Sequence, residues 1–337
     1  MNIHYASIIC RCDRNGVSAQ SLHRAFHRTA LFCRLTHGSS GMIDDKGRVM
    51  TPAIADDPRT LVSTDWLATH LKDPDLRIFD ASWYLPDMRR DAKAEYDAGH
   101  IQGARFFDID DVSDARSELP HMAPPVEKFM SRMRAMGVGD GHQVIVYDGI
   151  GIFSAARVWW LFKLMGQHNI AVLDGGLPKW LADGHKTTTT SPTIRDRHMT
   201  VKMEPARVRD VTEVARAAKL GDHSIIDARA PGRFKGESEE PREGMRSGHI
   251  PGSQNVFYQD LLNADGTMKP ANTLRTIFMD AGVDLHKPVI TTCGSGITAA
   301  ILSLALERIG VTDHSLYDGS WSEWGMYADL PIATGAS

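Results

Sequence analysis

Short, almost wholly apolar runs alternate along this chain with longer stretches whose apolar positions recur at helical spacing. The runs at 77–80, 144–147 and 170–173, and again at 224–227, 289–292 and 315–317, are β-prone and nearly continuous in apolar character. Strands of that kind belong to a parallel sheet covered on both faces, because a strand with one wet face would alternate. Between them, 154–164 and 298–309 read as helices. The second is apolar at Ala299, Ile301, Leu302, Leu304, Ala305, Leu306 and Ile309, almost all round, and Gly310 supplies its stop signal. The alternation predicts an α/β fold with helices flanking parallel sheets.

The pattern occurs twice. Gly-His-Ile-Gln-Gly-Ala at 99–104 returns as Gly-His-Ile-Pro-Gly-Ser at 248–253, and Ile78-Phe79-Asp80-Ala81 returns as Ile225-Ile226-Asp227-Ala228. Val144-Ile145-Val146-Tyr147-Asp148 returns as Val289-Ile290-Thr291-Thr292-Cys293. Leu173-Asp174-Gly175-Gly176 returns as Tyr317-Asp318-Gly319-Ser320, each followed by a tryptophan, Trp180 and Trp324. Four blocks in one order, with slowly drifting offsets, mark a tandem duplication of one domain. The expected limits are an N-terminal extension at 1–57, a first domain at 58–186, a polar linker at 187–205 beginning with four threonines, and a second domain at 206–330.

At 337 residues, 42% hydrophobic and 24% charged, the composition is that of a globular chain. A net charge of −4 argues against nucleic acid and anionic membranes as partners, and no run is long enough to span a bilayer. Residues 1–41 differ in kind: they carry Arg11, Arg14, Arg24, Arg28 and Arg34 against one acid, Asp13. That composition resembles a mitochondrial transit peptide; an upstream start codon read in error, with Met42 or Met50 as the true start, accounts for it equally well. The expected location is the cytoplasm, or the mitochondrion if the segment targets it.

Of four cysteines, Cys10, Cys12 and Cys33 fall in that segment and only Cys293 lies in the repeats. This suits a reducing compartment rather than a disulfide framework. Cys293 stands where a strand ends and a helix begins, in Cys293-Gly294-Ser295-Gly296-Ile297-Thr298. A glycine-rich loop there lets successive N–H groups face one concavity, and the helix start adds the positive end of its dipole. Such a place favours a thiolate and would equally hold the anionic terminal sulfur of a persulfide. A tyrosine-phosphatase loop of similar form needs an arginine six residues after the cysteine, where this chain has Ala299, and no cation occurs from Cys293 to Leu306. No Cys-x-x-Cys pair supports a thioredoxin-type role. No metal-ligand cluster or nucleotide loop is present, so no metal and no cofactor are expected.

The tandem domains, the Gly-His-Ile-Pro-Gly and Tyr-Asp-Gly-Ser-Trp blocks and the single cysteine of the second copy resemble the rhodanese family over about residues 58–330. Within it, Cys-Gly-Ser-Gly-Ile-Thr resembles the loop of the 3-mercaptopyruvate sulfurtransferases, with Gly294, Gly296, Ile297 and Thr298 at the substrate. Thiosulfate-using members carry a basic residue in that loop, which this chain lacks. The resemblance implies two tandem rhodanese-like domains, the first non-catalytic because Asp148 replaces the cysteine. It implies Arg233 and Arg242 as ligands of the substrate carboxylate and keto oxygen; the competing reading makes them surface arginines paired with Glu237, Glu239, Glu240 or Glu243. It implies an Asp110–His121–Ser295 arrangement that moves protons beside the ketone. It further implies a small-molecule sulfur donor, and a thiol acceptor such as thioredoxin or glutathione, or cyanide. A thiosulfate sulfurtransferase and a non-catalytic binding module are the rival functions. Arg229 is read as a structural ion-pair residue, His100 and His249 as fold-level residues because both copies keep them, and Arg157, Trp159 and Trp160 as packing at the sheet face or the domain interface.

Overall fold

The computed structural model describes residues 56–336 together with a short antiparallel strand pair, Met42–Ile43 with Val49–Met50, that belongs to a separate N-terminal unit. Residues 1–41, with the targeting or start-site reading and Cys10, Cys12 and Cys33, lie outside the described residues.

Two five-stranded parallel sheets carry the rest. The first consists of β1 (Leu61–Val62), β2 (Leu76–Asp80), β3 (Ala104–Phe106), β4 (Gln143–Tyr147) and β5 (Ile170–Leu173), in the order β1-β5-β4-β2-β3. The second consists of β6 (Val208–Arg209), β7 (Ser224–Asp227), β8 (Gln254–Asn255), β9 (Val289–Thr292) and β10 (His314–Tyr317), in the order β6-β10-β9-β7-β8. The orders are identical, so the sequence repeat is a repeat of topology. Every neighbouring pair within the two sheets is parallel. The strands read from apolar character all form, within a residue at their ends. The edge strands β1, β3, β6 and β8 are two or three residues long and leave no periodic signal.

The helices are α1 (Thr64–His70), α2 (Ala92–Ala98), α3 (Val126–Ala135), α4 (Ala155–Leu164) and α5 (Gly176–Ala182) in the first domain. In the second they are α6 (Val211–Leu220), α7 (Pro231–Lys235), α8 (Ala271–Asp280), α9 (Ala299–Arg308) and α10 (Ser320–Trp324). Local signals set their ends. Asp210 and Glu213 form a reciprocal capping box on α6, and Gly221 closes it at φ 63°. The all-round apolar character of α4 and α9 has a simple cause: each covers its own sheet with one face and packs against the other helix across the domain boundary.

The segment expected as a linker is tied down along much of its length. Thr187–Thr188 pair antiparallel with His100–Ile101. Asp140 accepts from the Thr200 N–H at 2.8 Å and its hydroxyl at 2.9 Å, and Met199 is buried. Four threonines are polar but β-branched, and they take a partner strand where one is offered.

His100 and His249 are fold-level residues. Each is buried, stacks on an aromatic ring of the preceding helix (Tyr96 at 4.1 Å, Phe234 at 3.8 Å), and sets its Nδ1 2.8 Å from that residue's carbonyl.

Candidate active site

Cys293 follows the last residue of β9, at the carboxyl edge of the second sheet, and is buried. The backbone around it is oriented from behind by α10. The Cys293 carbonyl accepts from the Trp321 N–H at 2.9 Å, and the Gly294 carbonyl accepts from the Ser322 N–H at 2.8 Å and its hydroxyl at 2.6 Å. With two successive carbonyls drawn to the helix start, the following N–H groups are left to face the opposite side. Ser320 stands at φ 51°, where the first copy has Gly176 at φ 58°, and its hydroxyl accepts from the Cys293 N–H at 3.3 Å.

The first copy shows what such a loop holds. Asp148 stands at the cysteine's place, fully buried. Its Oδ1 accepts from the N–H groups of Ile150 (2.9 Å) and Gly151 (3.0 Å), and its Oδ2 from Phe153 (2.8 Å) and Ala155 (2.9 Å). Its carbonyl meets the Leu177 N–H at 3.0 Å, as that of Cys293 meets Trp321. A strand-end loop of this kind is therefore an anion cradle, and the first copy fills it with its own carboxylate. The loop 148–154 runs one residue longer than 293–298 before its helix cap, so the two cradles agree in kind rather than atom for atom.

A pocket of about 230 Å³ opens over Cys293. Gly294, Ser295, Ile297, Thr298 and Arg233 line it from the second domain, as do Phe257 and Tyr258, while Trp83, Leu85 and Phe153 close it from the first. Gly296 lies behind the lining, at φ 80°.

The arginines divide by circumstance. Arg229 also borders the pocket, but it is buried, pairs with Asp227 (2.7 Å) and Glu240 (2.7 Å), donates to the Gly248 carbonyl and lies over the Trp321 ring, so its charge is taken up by ion pairs of the fold. Arg233 pairs with the other oxygen of Glu240 at 2.5 Å, yet reaches the pocket wall, its fork facing Gly294. Arg242 stands on the loop after Glu240, open to solvent on one side only. Partial burial and the neighbouring Arg233 pull its guanidinium below the usual range, while Cys293 and Glu240 act in the opposite sense, which puts Arg242 within the electrostatic reach of the thiol.

Asp110 and His121 approach each other, with Oδ1 3.1 Å from Nδ1; the approach is off the hydrogen-bond line, so the contact is more electrostatic than directional. His121 beside it holds the Asp110 carboxyl below the usual range despite partial burial. Trp83 joins this pair to the pocket. Its indole N–H donates to Asp110 at 3.2 Å, its ring meets His121 edge-on at 4.8 Å, and it lines the pocket opposite Ser295. Asp110 and His121 are thus in direct contact with each other, while Ser295 lies in the lining of the pocket that Trp83 also borders. Trp83, Phe153 and Tyr258 escape sequence reasoning. Trp83 and Tyr258 carry a positional signal, since each lies just past the carboxyl end of a parallel strand, β2 and β8.

Among the described residues, no cluster of three or more His, Cys, Asp or Glu could hold a metal ion, and no helix is long and apolar enough to cross a membrane.

A family model described as rhodanese-like domain matches the chain twice, at residues 63–183 and 210–327. The 3-mercaptopyruvate sulfurtransferase of Escherichia coli K12 is 43% identical over 272 residues, 80% of this chain and 96% of the relative. A mitochondrial thiosulfate/3-mercaptopyruvate sulfurtransferase of Arabidopsis thaliana is 38% identical over 327 residues, 91% of this chain and 86% of the relative. The crystal structure of the Escherichia coli 3-mercaptopyruvate sulfotransferase SseA superposes with a TM-score of 0.71 at 40% identity, covering 78% of this chain and 99% of that one.

Proposed function

The chain belongs to the rhodanese family, as a tandem of two rhodanese-like domains, and from that premise we propose that it is a 3-mercaptopyruvate sulfurtransferase working through Cys293. The observation that carries the reading is the Cys293 loop, whose carbonyls are drawn back onto α10 beneath a small pocket with Arg233 in its wall.

The thiolate of Cys293 attacks the donor's sulfur. The carbon–sulfur bond breaks, its electron pair goes to the enolate of pyruvate, and a proton returned to that carbon completes pyruvate. The sulfur stays on Cys293 as a persulfide, whose anionic outer atom accepts from the loop N–H groups much as the Asp148 carboxylate does in the first copy. A thiol such as thioredoxin or glutathione, or cyanide, then attacks the outer sulfur and frees the thiolate, a ping-pong sequence. Arg233 and Arg242 take the substrate carboxylate and keto oxygen, matching its planar oxygens with guanidinium forks. Asp110, His121 and Ser295 serve the proton steps beside the ketone. Gly294, Gly296, Ile297 and Thr298 shape the cradle. No cofactor enters this scheme. The expected location is the cytoplasm, or the mitochondrion, where the Arabidopsis relative is placed, if residues 1–41 target it.

Thiosulfate remains the second donor to consider, because the name of the Arabidopsis relative covers both donors. The uncharged loop disfavours the dianion. Incubation with 3-mercaptopyruvate without acceptor should add about 32 Da, one sulfur, to the intact protein, and Cys293→Ser should abolish both adduct and turnover. An unmodified mass would sink the enzymatic reading in favour of a binding module. A higher kcat/KM for thiosulfate than for mercaptopyruvate would reverse the choice of donor.

A further inference from the structure

The first domain sends one fully buried cation into the back of the sulfur-carrying loop. Arg157, in the first turn of α4, is wholly enclosed. Its guanidinium carbon sits 4.4 Å from the centre of the Trp160 ring. Nη1 donates to the Gly296 carbonyl at 3.4 Å, and Nη2 donates to the His121 carbonyl at 2.5 Å and lies 2.7 Å from Asp318 Oδ1. The other oxygen of Asp318 accepts from the Ala123 N–H at 2.7 Å. A single guanidinium–carboxylate pair therefore holds both the cysteine loop of one domain and the strap that carries His121 from the other.

Two details make this more than interface glue. First, Gly296 stands at φ 80°, and a Cβ there would lie 2.9 Å from Arg157 Nη1; loop and guanidinium are fitted to each other. His121 is itself held in the left-handed region at φ 61°, a conformation that a non-glycine residue keeps only when its surroundings over-determine it. Second, the duplication supplies a control. The helical position equivalent to Arg157 in the second copy is Ile301, which cannot reach across to Asp174, the counterpart of Asp318. Asp174 has a guanidinium in its vicinity too, but it comes from Arg308 at the far end of α9 and donates to Thr60 at 3.2 Å; an arginine at this first-turn position, bonded to the loop glycine, occurs only where a cysteine loop must be placed.

We infer that Arg157 is a positioning residue for sulfur transfer: through Gly296 and the His121 carbonyl it sets the cysteine loop and the histidine in register across the domain boundary. The inference rests on the reading of Cys293 as the sulfur carrier and of His121 as its partner, and it makes the cysteine-less domain an obligatory part of the catalytic unit.

The test compares the full-length protein with Arg157→Met, Arg157→Lys, His121→Gln and the Arg157→Met/His121→Gln double variant, in steady-state turnover of 3-mercaptopyruvate with a thiol acceptor. Arg157→Met should lower kcat by about tenfold or more while KM moves by less than about threefold, because Arg233 and Arg242 are untouched. Arg157→Lys should recover part of the loss, since its ammonium keeps the Asp318 pair but cannot serve both carbonyls as a fork. His121→Gln should cost markedly less in the Arg157→Met background than in the wild type, as expected of residues acting through one another. Wild-type kcat in a folded Arg157→Met protein, a kcat loss strictly additive with His121→Gln, or a lysine variant no better than methionine would each overturn the inference. If Arg157→Met does not fold, Arg157→Lys decides alone: a lower kcat at unchanged KM supports the inference, and wild-type kcat overturns it. A wild-type protein that acquires no sulfur sinks the proposed activity and this inference together; an active wild type with indifferent Arg157 variants sinks the inference only.

Discussion

Arg233 and Arg242 enter the sequence as a matched pair, but their surroundings make them unequal. Three arginines, Arg229, Arg233 and Arg242, share the vicinity of two carboxylates, Asp227 and Glu240. Glu240 is sandwiched between Arg229 and Arg233 with its side chain fully enclosed, so the positive surplus rests mainly on Arg242. Its spacing from Cys293 is not legible in the sequence, and neither is Glu240's choice among four nearby acids of the arginines it serves; both depend on how the loop after α7 folds back. A charge-assisted contact to a carboxylate is worth about 1.5–3 kcal/mol, so Arg242→Ala should raise KM for mercaptopyruvate by about ten- to a hundredfold with a smaller change in kcat. Arg233→Ala should also destabilise the protein, because it strips a partner from an enclosed carboxylate. Steady-state kinetics together with thermal unfolding separates the two, and an Arg242→Ala enzyme with wild-type KM would remove that residue from the substrate site.

At the scale of elements, the two strand–loop–helix units differ chiefly in what fills the cradle. The sequence showed the correspondence of Asp148 with Cys293, because long strands and motif blocks survive duplication as readable text. It did not show that Asp148 gathers four backbone N–H groups, since N–H direction is set by the carbonyls that α5 and α10 draw away. The pocket's aromatic wall was hidden for a similar reason: Trp83, Phe153 and Tyr258 follow three different strands, and β8, which precedes Tyr258, is too short to be read from the sequence. Asparagine at position 148 would present an amide NH₂ to donors that now meet a carboxylate oxygen. Asp148→Asn should therefore destabilise the protein by about 2–4 kcal/mol while leaving kcat and KM near wild type well below the melting temperature. Denaturant unfolding alongside turnover checks this, and an unchanged midpoint would mean the cradle carries little of the loop's order.

For the whole molecule, the boundary between domains is the least legible feature, and ion pairs are built into it. The apolar all-round character of α4 and α9 forecast burial on two sides, but not that Lys163 on α4 would meet Glu307 on α9 at 3.4 Å, with Arg207 and His314 closing around the same carboxylate. Burial works against the ionised Glu307, yet His314 and the flanking Lys163 and Arg207 outweigh it and hold the carboxyl near 2. Its stabilising contribution is thus present above the ordinary glutamate range and lost only as pH falls toward 2. Asp174, on the same boundary, behaves in the opposite sense. Burial, reinforced by Asp265, pushes its carboxyl up to about 7, although the Met268 N–H, Arg308 and Lys179 favour the charged form. The folded state therefore keeps this proton through a range in which the unfolded chain has lost it. The associated stability is full below about pH 4 and disappears as pH rises through about 7, amounting to at most about 4 kcal/mol. Asparagine at 174 can still accept from Met268 and has no proton to lose. Asp174→Asn should then gain stability over the wild type progressively between about pH 5 and pH 8, a window in which Glu307 stays ionised in both states. Melting temperatures of the two proteins at both ends of that window measure the effect, and a gap that does not widen with pH would show that Asp174 ionises as an ordinary carboxylate in the folded protein.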